Sequence, residues 1–103
     1  MQHDLFVHPN RRTRAVYPLI VVLQADVAEG EERIVAPLTY SSAGPGSRLR
    51  PVVMHDGEHF MVIMRLLGLV PARLLRHPVG SIAPYRDDLT RALDWLFFGI
   101  QQR

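Results

Sequence analysis

Gly80-Ser81-Ile82-Ala83-Pro84-Tyr85-Arg86-Asp87-Asp88-Leu89-Thr90-Arg91-Ala92-Leu93-Asp94-Trp95-Leu96-Phe97-Phe98 reads as one C-terminal helix, and the rest of the chain has to be arranged around it. Pro84 suits a first helical turn, where its missing N–H is not needed, and Asp87 and Asp88 sit near the positive end of the helix dipole. Tyr85, Leu89, Leu93, Leu96 and Ile100 recur at steps of three and four, which gives one core-facing stripe. Asp88, Arg91, Trp95 and Phe98 make a second stripe beside it. Trp95, Leu96, Phe97, Phe98 and Ile100 leave the last two turns apolar nearly all round. A terminal helix on one sheet needs a single apolar face, so the excess predicts a surface that another protein covers.

Upstream of this helix the pattern is β. Leu5-Phe6-Val7 is a short strand. Val16 to Ala25 reads as a long one, and its continuous Val21-Val22-Leu23 suits a strand covered on both faces. Arg33 to Tyr40 is a third, set off by the acidic turn Glu29-Gly30-Glu31-Glu32. Ser41 to Ser47 is a loop by composition. Asp56-Gly57 is the strongest short hairpin signal, joining Pro51–His55 to Glu58–Met64. Leu66 to Leu75 is interrupted by Gly68 and Pro71 and reads as two short extended pieces. Sequential antiparallel strands capped by one C-terminal helix is the economical architecture, in a single domain over residues 1–103.

Hydrophobic residues make up 48% of the 103, which excludes disorder. The longest apolar run, Tyr17 to Leu23, is far too short to span a bilayer, and no signal-peptide pattern opens the chain. No membrane association is expected, and the absence of cysteine fits a cytoplasmic protein. All 12 basic residues are arginine and the net charge is only +2, so the pI of 9.7 overstates the basicity. A dedicated nucleic-acid binder would carry a denser basic face.

Few residues suggest chemistry. His55 and His59 bracket Asp56 and Glu58, but a two-residue turn would send the two rings to opposite faces of the ribbon, so no metal site is expected. Gly44-Pro45-Gly46-Ser47 lacks the lysine and the following helix of a phosphate loop. There is no Gly-x-Ser-x-Gly elbow and no catalytic triad, and no cofactor is expected. His8-Pro9-Asn10-Arg11-Arg12-Thr13-Arg14 is a basic loop with two readings, a solvated turn or a docking site for an acidic flexible peptide.

Val79-Gly80-Ser81-Ile82, Arg86-Asp87-Asp88-Leu89, Ala92-Leu93-Asp94 and Phe97-Phe98-Gly99-Ile100 together resemble the C-terminal motif of the CcdB toxins of bacterial toxin–antitoxin modules. The similarity continues through Met1-Gln2, Gln24-Ala25-Asp26, Arg33-Ile34-Val35-Ala36-Pro37-Leu38, Leu49-Arg50-Pro51-Val52-Val53 and Val70-Pro71. The resemblance implies a small SH3-like barrel with a terminal helix, forming a homodimer with Trp95 and Phe97 at the subunit contact. It also implies a non-enzymatic poison that binds the A subunit of DNA gyrase through Gln2, Val27, Asp94, Phe98, Gly99 and Ile100. A CcdA-like antitoxin would bind at Arg11, Arg12 and Arg14, and operator DNA would be reached only through that antitoxin. Phe98 stands where the family pattern has tryptophan, His3 where it has phenylalanine and Ala25 where it has serine, and the chain runs on through Gln101, Gln102 and Arg103. Two alternatives follow. One is a MazF-type ribonuclease using Arg33 and Thr39 or the arginines of the basic loop. The other is a non-toxic relative that serves its antitoxin as a corepressor.

Overall fold

The computed structural model describes residues 1–26, 30–42 and 46–99. Strands run in chain order as β1 (Asp4–Val7), β2 (Leu19–Val22), β3 (Glu32–Tyr40), β4 (Val52–His55), β5 (Glu58–Val62), β6 (Gly68–Pro71) and β7 (Gly80–Ser81), followed by helix α1 (Arg86–Phe98). All pairings are antiparallel, in the order β4-β5-β3-β2-β1-β7, with β6 added on β3.

The branch in this order comes from β3. One edge of β3 pairs with β2, while the other pairs with β6 at Glu32 to Val35 and with β5 at Leu38 to Tyr40. Pro37, with no N–H to give a ladder, sits where the neighbour changes. Its carbonyl accepts the Ile63 N–H at 2.9 Å, and a 3-10 turn at Met64–Leu66 carries the chain across from β5 to β6. The segment from Leu66 to Leu75 thus becomes one short strand followed by a 3-10 turn at Ala72–Leu74.

The β4–β5 hairpin has the expected register, His55 opposite Glu58 and Met54 opposite His59. Asp56 and Gly57 have φ of 55° and 81°, the left-handed pair of a type I′ turn. The hairpin then closes the sheet on itself. The Met54 N–H donates to the Tyr85 hydroxyl at 3.1 Å, and the His55 ring lies so close over Gly80 that a Cβ there would run into it. Edge strands β4 and β7 therefore meet, and the sheet is a nearly closed barrel.

Apolar residues fill both faces of the inner strands. Inside, Leu5, Val21, Leu38, Val53, Val62 and Ile82 pack with Leu89 and Ala92 of α1. On the other face Phe6, Ile20, Val22 and Val35 are covered by Leu75. All four residues of β2 are buried, as its continuous apolar run requires.

Three expectations shift. The strand expected over 16–25 is limited to Leu19–Val22, because Thr13–Ala15 forms a 3-10 turn whose Thr13 carbonyl takes the N–H of both Val16 and Tyr17. At its far end the Gln24 side chain, rather than backbone, accepts the Ile34 N–H at 3.2 Å. The helix begins at Arg86 rather than near Gly80. Gly80 and Ser81 pair with β1, the Ile82 N–H goes to the His3 carbonyl, and Pro84 sits in a separate 3-10 turn at Ala83–Tyr85. The buried face of α1 is Leu89 with Ala92, flanked by Tyr85 and Leu93, so a small residue outside the expected stripe forms part of the closest contact.

Tyr85→Phe removes the closing acceptor and should cost about 0.5–1.5 kcal/mol in urea unfolding. Leu89→Ala, which opens a cavity under the helix, should cost about 2–5 kcal/mol. An equal loss in both variants would contradict this division of labour.

Candidate functional site

Helix α1 is anchored at one end and open at the other. Leu89 and Ala92 are each about 1% exposed, whereas Phe97 and Phe98 in the last turn are 63% and 75% exposed. Gly99 ends the helix in the left-handed region at φ 74°, its N–H donating to the Trp95 carbonyl at 3.1 Å. Asp94 lies one turn before Phe98, so the two share an exposed face. Val27 and Ile100, the remaining residues expected there, lie outside the described residues.

Phe97 overhangs an apolar groove of about 230 Å³ lined by Leu23, Gln24, Ile34, Leu67 and Leu93. Ile34 is opposite Leu69 across the β3–β6 ladder, and the two are 38% and 61% exposed, so the apolar surface extends over the sheet. The N-terminus joins this neighbourhood through Gln2, whose Nε2 donates to the Leu23 carbonyl at 3.1 Å. The Gln2 N–H donates to Asp26 Oδ1 at 2.8 Å, and the terminal ammonium lies 3.2 Å from the same oxygen. These contacts hold the Asp26 carboxyl below its ordinary pKa. The fold thus gathers Gln2, the end of β2 and the end of α1, though the Gln2 amide is already committed to the backbone.

The second helix stripe has a partner within the chain. The Arg48 guanidinium lies over the Trp95 ring, 4.1 Å from its centroid, and Arg91 pairs with Asp88 at 2.9 Å. Together with the Gly46–Val52 segment they form a cleft of about 360 Å³. Trp95 is half-buried, so the strongly exposed aromatics of α1 are Phe97 and Phe98. Arg48 gave no sequence signal, since it is distant in the chain and sits in a turn.

In the basic loop, Arg11, Arg12 and Arg14 are all exposed. Arg14 Nε donates to the His8 carbonyl, and the Arg12 N–H to Asn10 Oδ1 at 3.0 Å, which fixes the loop. Arg33 donates to the carbonyls of Gly30 and Glu32, and the Thr39 hydroxyl to that of Val16. These two residues are six apart on one extended strand, roughly 20 Å by the strand rise, too far to act on one phosphodiester. Among the described residues no cluster of acids and histidines could hold a metal, and no helix is long and apolar enough to cross a membrane.

A nearly closed antiparallel barrel carrying one C-terminal helix with an apolar, overhanging end defines the class. A family model described as CcdB protein matches residues 2–99, and the chain belongs to the CcdB family. That is a family of toxins of toxin–antitoxin systems, poisons rather than catalysts. No curated protein matches the chain.

His3 and His8 have pKa values below the ordinary 6.5, in each case chiefly through burial, with Arg86 adding to the effect at His3 and Arg14 at His8. Asp26 and Asp4 oppose the shift at His3. His8 is also held neutral by its hydrogen bond, since its Nδ1 accepts the Asn10 N–H at 3.1 Å. The unfolded chain therefore takes up these protons first as pH falls. Their contribution is complete above about 6.5 and is lost below it. Replacing both with asparagine, which tolerates the φ of 69° at position 3 and can accept the same bond at position 8, should flatten the fall in melting temperature as the pH drops below about 6.5. An unchanged slope would refute the assignment.

Arg48→Ala should cost about 0.5–1 kcal/mol and shift the emission of Trp95, the chain's single tryptophan, to longer wavelength. An unmoved spectrum would mean that the ring is not covered by Arg48 in solution.

Proposed function

We propose that this toxin poisons DNA gyrase by binding its A subunit through the exposed end of α1, and that a cognate CcdA-like antitoxin neutralises it. The observation that carries the reading is the ring of Phe98, 75% exposed on a helix whose inner face is already satisfied by Leu89 and Ala92. A ring so exposed is what a protein interface uses as an anchor. Asp94, Gly99 and the neighbouring Gln2 belong to the proposed contact, as do Val27 and Ile100 by family resemblance. Phe97 and the groove beneath it form the proposed homodimer contact, with Trp95 at its flank. Arg11, Arg12 and Arg14 offer exposed cations to an acidic antitoxin segment, and operator DNA is contacted through the antitoxin. The separation of Arg33 from Thr39 weighs against ribonuclease chemistry at that pair.

Gyrase-linked DNA cleavage complexes, measured beside an RNA-cleavage assay, test the target. Phe98→Ala should weaken binding to the A subunit by at least about tenfold while leaving the melting temperature unchanged. Phe98→Trp, which restores the larger π face, should strengthen it by about 0.5–2 kcal/mol. RNA cleavage without gyrase complexes would overturn the reading, and neither activity would favour a non-toxic corepressor. Light scattering should give a dimer at micromolar concentration, and a monomer would refute the proposed subunit contact.

A further inference from the structure

The turn before β4 sets one cation against the helix that carries the proposed contact. Ser47 and Arg50 close this turn on each other, the Ser47 N–H donating to the Arg50 carbonyl at 3.3 Å and the Arg50 N–H to the Ser47 carbonyl at 3.1 Å. Backbone bonds tie it to the end of β5 and beyond, from the Met64 N–H to the Leu49 carbonyl at 3.2 Å and from the Val62 N–H to the Pro51 carbonyl at 2.9 Å. Gly46 leads in so tightly that a Cβ there would run into the Arg50 carbonyl. The backbone at Arg48 is thus fixed, and its guanidinium lies over the Trp95 ring. Among the described residues Arg48 makes no ion pair, because Asp88, which lines the same cleft, is taken by Arg91. The cation is left to the ring.

The last turn of α1 lacks the anchorage of the turns before it. Core packing of the helix involves Leu89 and Ala92, with Leu93 at its edge. Phe97 and Phe98 are exposed, and a helix end without packed side chains frays. Trp95 stands at the junction. Its ring is under Arg48, and its carbonyl accepts the Gly99 N–H that closes the left-handed cap. Phe98 follows Trp95 by three residues on the same stripe, so holding Trp95 holds the turn that carries Phe98.

We propose that Arg48 is a positioning residue for the gyrase contact, acting through Trp95 to keep the last turn of α1 formed before the target arrives. The inference rests on the gyrase reading above and adds the residue that pre-organises its anchor. A ring on a frayed turn has to be ordered on binding, so the apparent affinity falls with the fraction of molecules in which the turn is already formed. One exposed guanidinium over an indole shifts such an equilibrium by about two- to fivefold. A direct contact between Arg48 and the target is the competing role, and it differs in having no need of Trp95.

The test is a double-mutant cycle on the full chain, with Arg48→Ala and Trp95→Leu made singly and together. Affinity for the gyrase A subunit and amide exchange in the free protein are the readouts. Arg48→Ala should weaken binding about two- to fivefold and speed exchange at Phe98 and Gly99, leaving the amides of Leu89 to Leu93 unchanged. Arg48→Lys, which keeps a cation over the ring, should bind more tightly than Arg48→Ala. In the Trp95→Leu background, which keeps a good helix former at that position, Arg48→Ala should change neither readout. A further loss of affinity in that background would overturn the proposal in favour of direct contact. So would equal exchange at the helix end in free wild-type and Arg48→Ala proteins, equal affinity of the two for gyrase, a lysine variant no better than the alanine one, or a changed oligomeric state in Arg48→Ala. A wild-type chain that fails to bind gyrase would refute the target, and the exchange comparison would still decide whether Arg48 holds the turn.

Discussion

Burial of Leu89 and Ala92 against the barrel interior is the contact on which the presentation of every other helix residue depends. A methyl-sized residue at position 92 lets the helix backbone approach the strands. Tyr85 and Leu93 close the seam on either side, and the Tyr85 hydroxyl ties the helix entry to β4. This anchorage fades toward Leu96, which is half-buried, and beyond it Phe97 and Phe98 stand in water. Gly99 then turns the chain in a left-handed cap that a residue with a Cβ would adopt only under strain. The exposed end of the helix is therefore a consequence of where the core stops.

Two surfaces of different chemistry result on one small scaffold. One is apolar and carries Phe97, Phe98 and the groove between Leu23, Ile34 and Leu93. The other carries positive charge, at Arg50 and Arg65. An apolar anchor suits tight contact with a folded target, where desolvated aromatics dominate the energy. The exposed arginines of the basic loop suit a flexible acidic chain, which is drawn in by charge and pays its ordering cost on binding. With a net charge of only +2, the cationic character is a matter of local placement.

What the sequence revealed was what local physics decides. Asp56-Gly57 specifies its own turn, so the hairpin register could be written from the alternation around it. The all-apolar β2 and the surplus of apolar residues at the end of α1 were legible for the same reason. Features that depend on distant partners were not. Gly80 and Ser81 are a strand only because β1 is there to pair with them, and Pro84 looks like a helix start until Ile82 is seen bonded to His3. Trp95 read as part of a second helix stripe, and the Arg48 that lies over its ring comes from a distant part of the chain. Arg50 and Arg65 line a groove built from four segments that share no motif. The order of strands around β3 likewise depends on Pro37 sitting where two partners meet.

The central claim, that the overhanging helix end is the surface that engages gyrase, is tested most directly by hydrogen exchange on the full chain with and without the gyrase A subunit. The account predicts that amides of the last turn of α1, through Phe98 and Gly99, exchange more slowly in the complex, together with that of Gln2, while those of Arg50 and Arg65 are unaffected. Unchanged exchange at the helix end in a mixture where the two proteins are shown to be bound would contradict it.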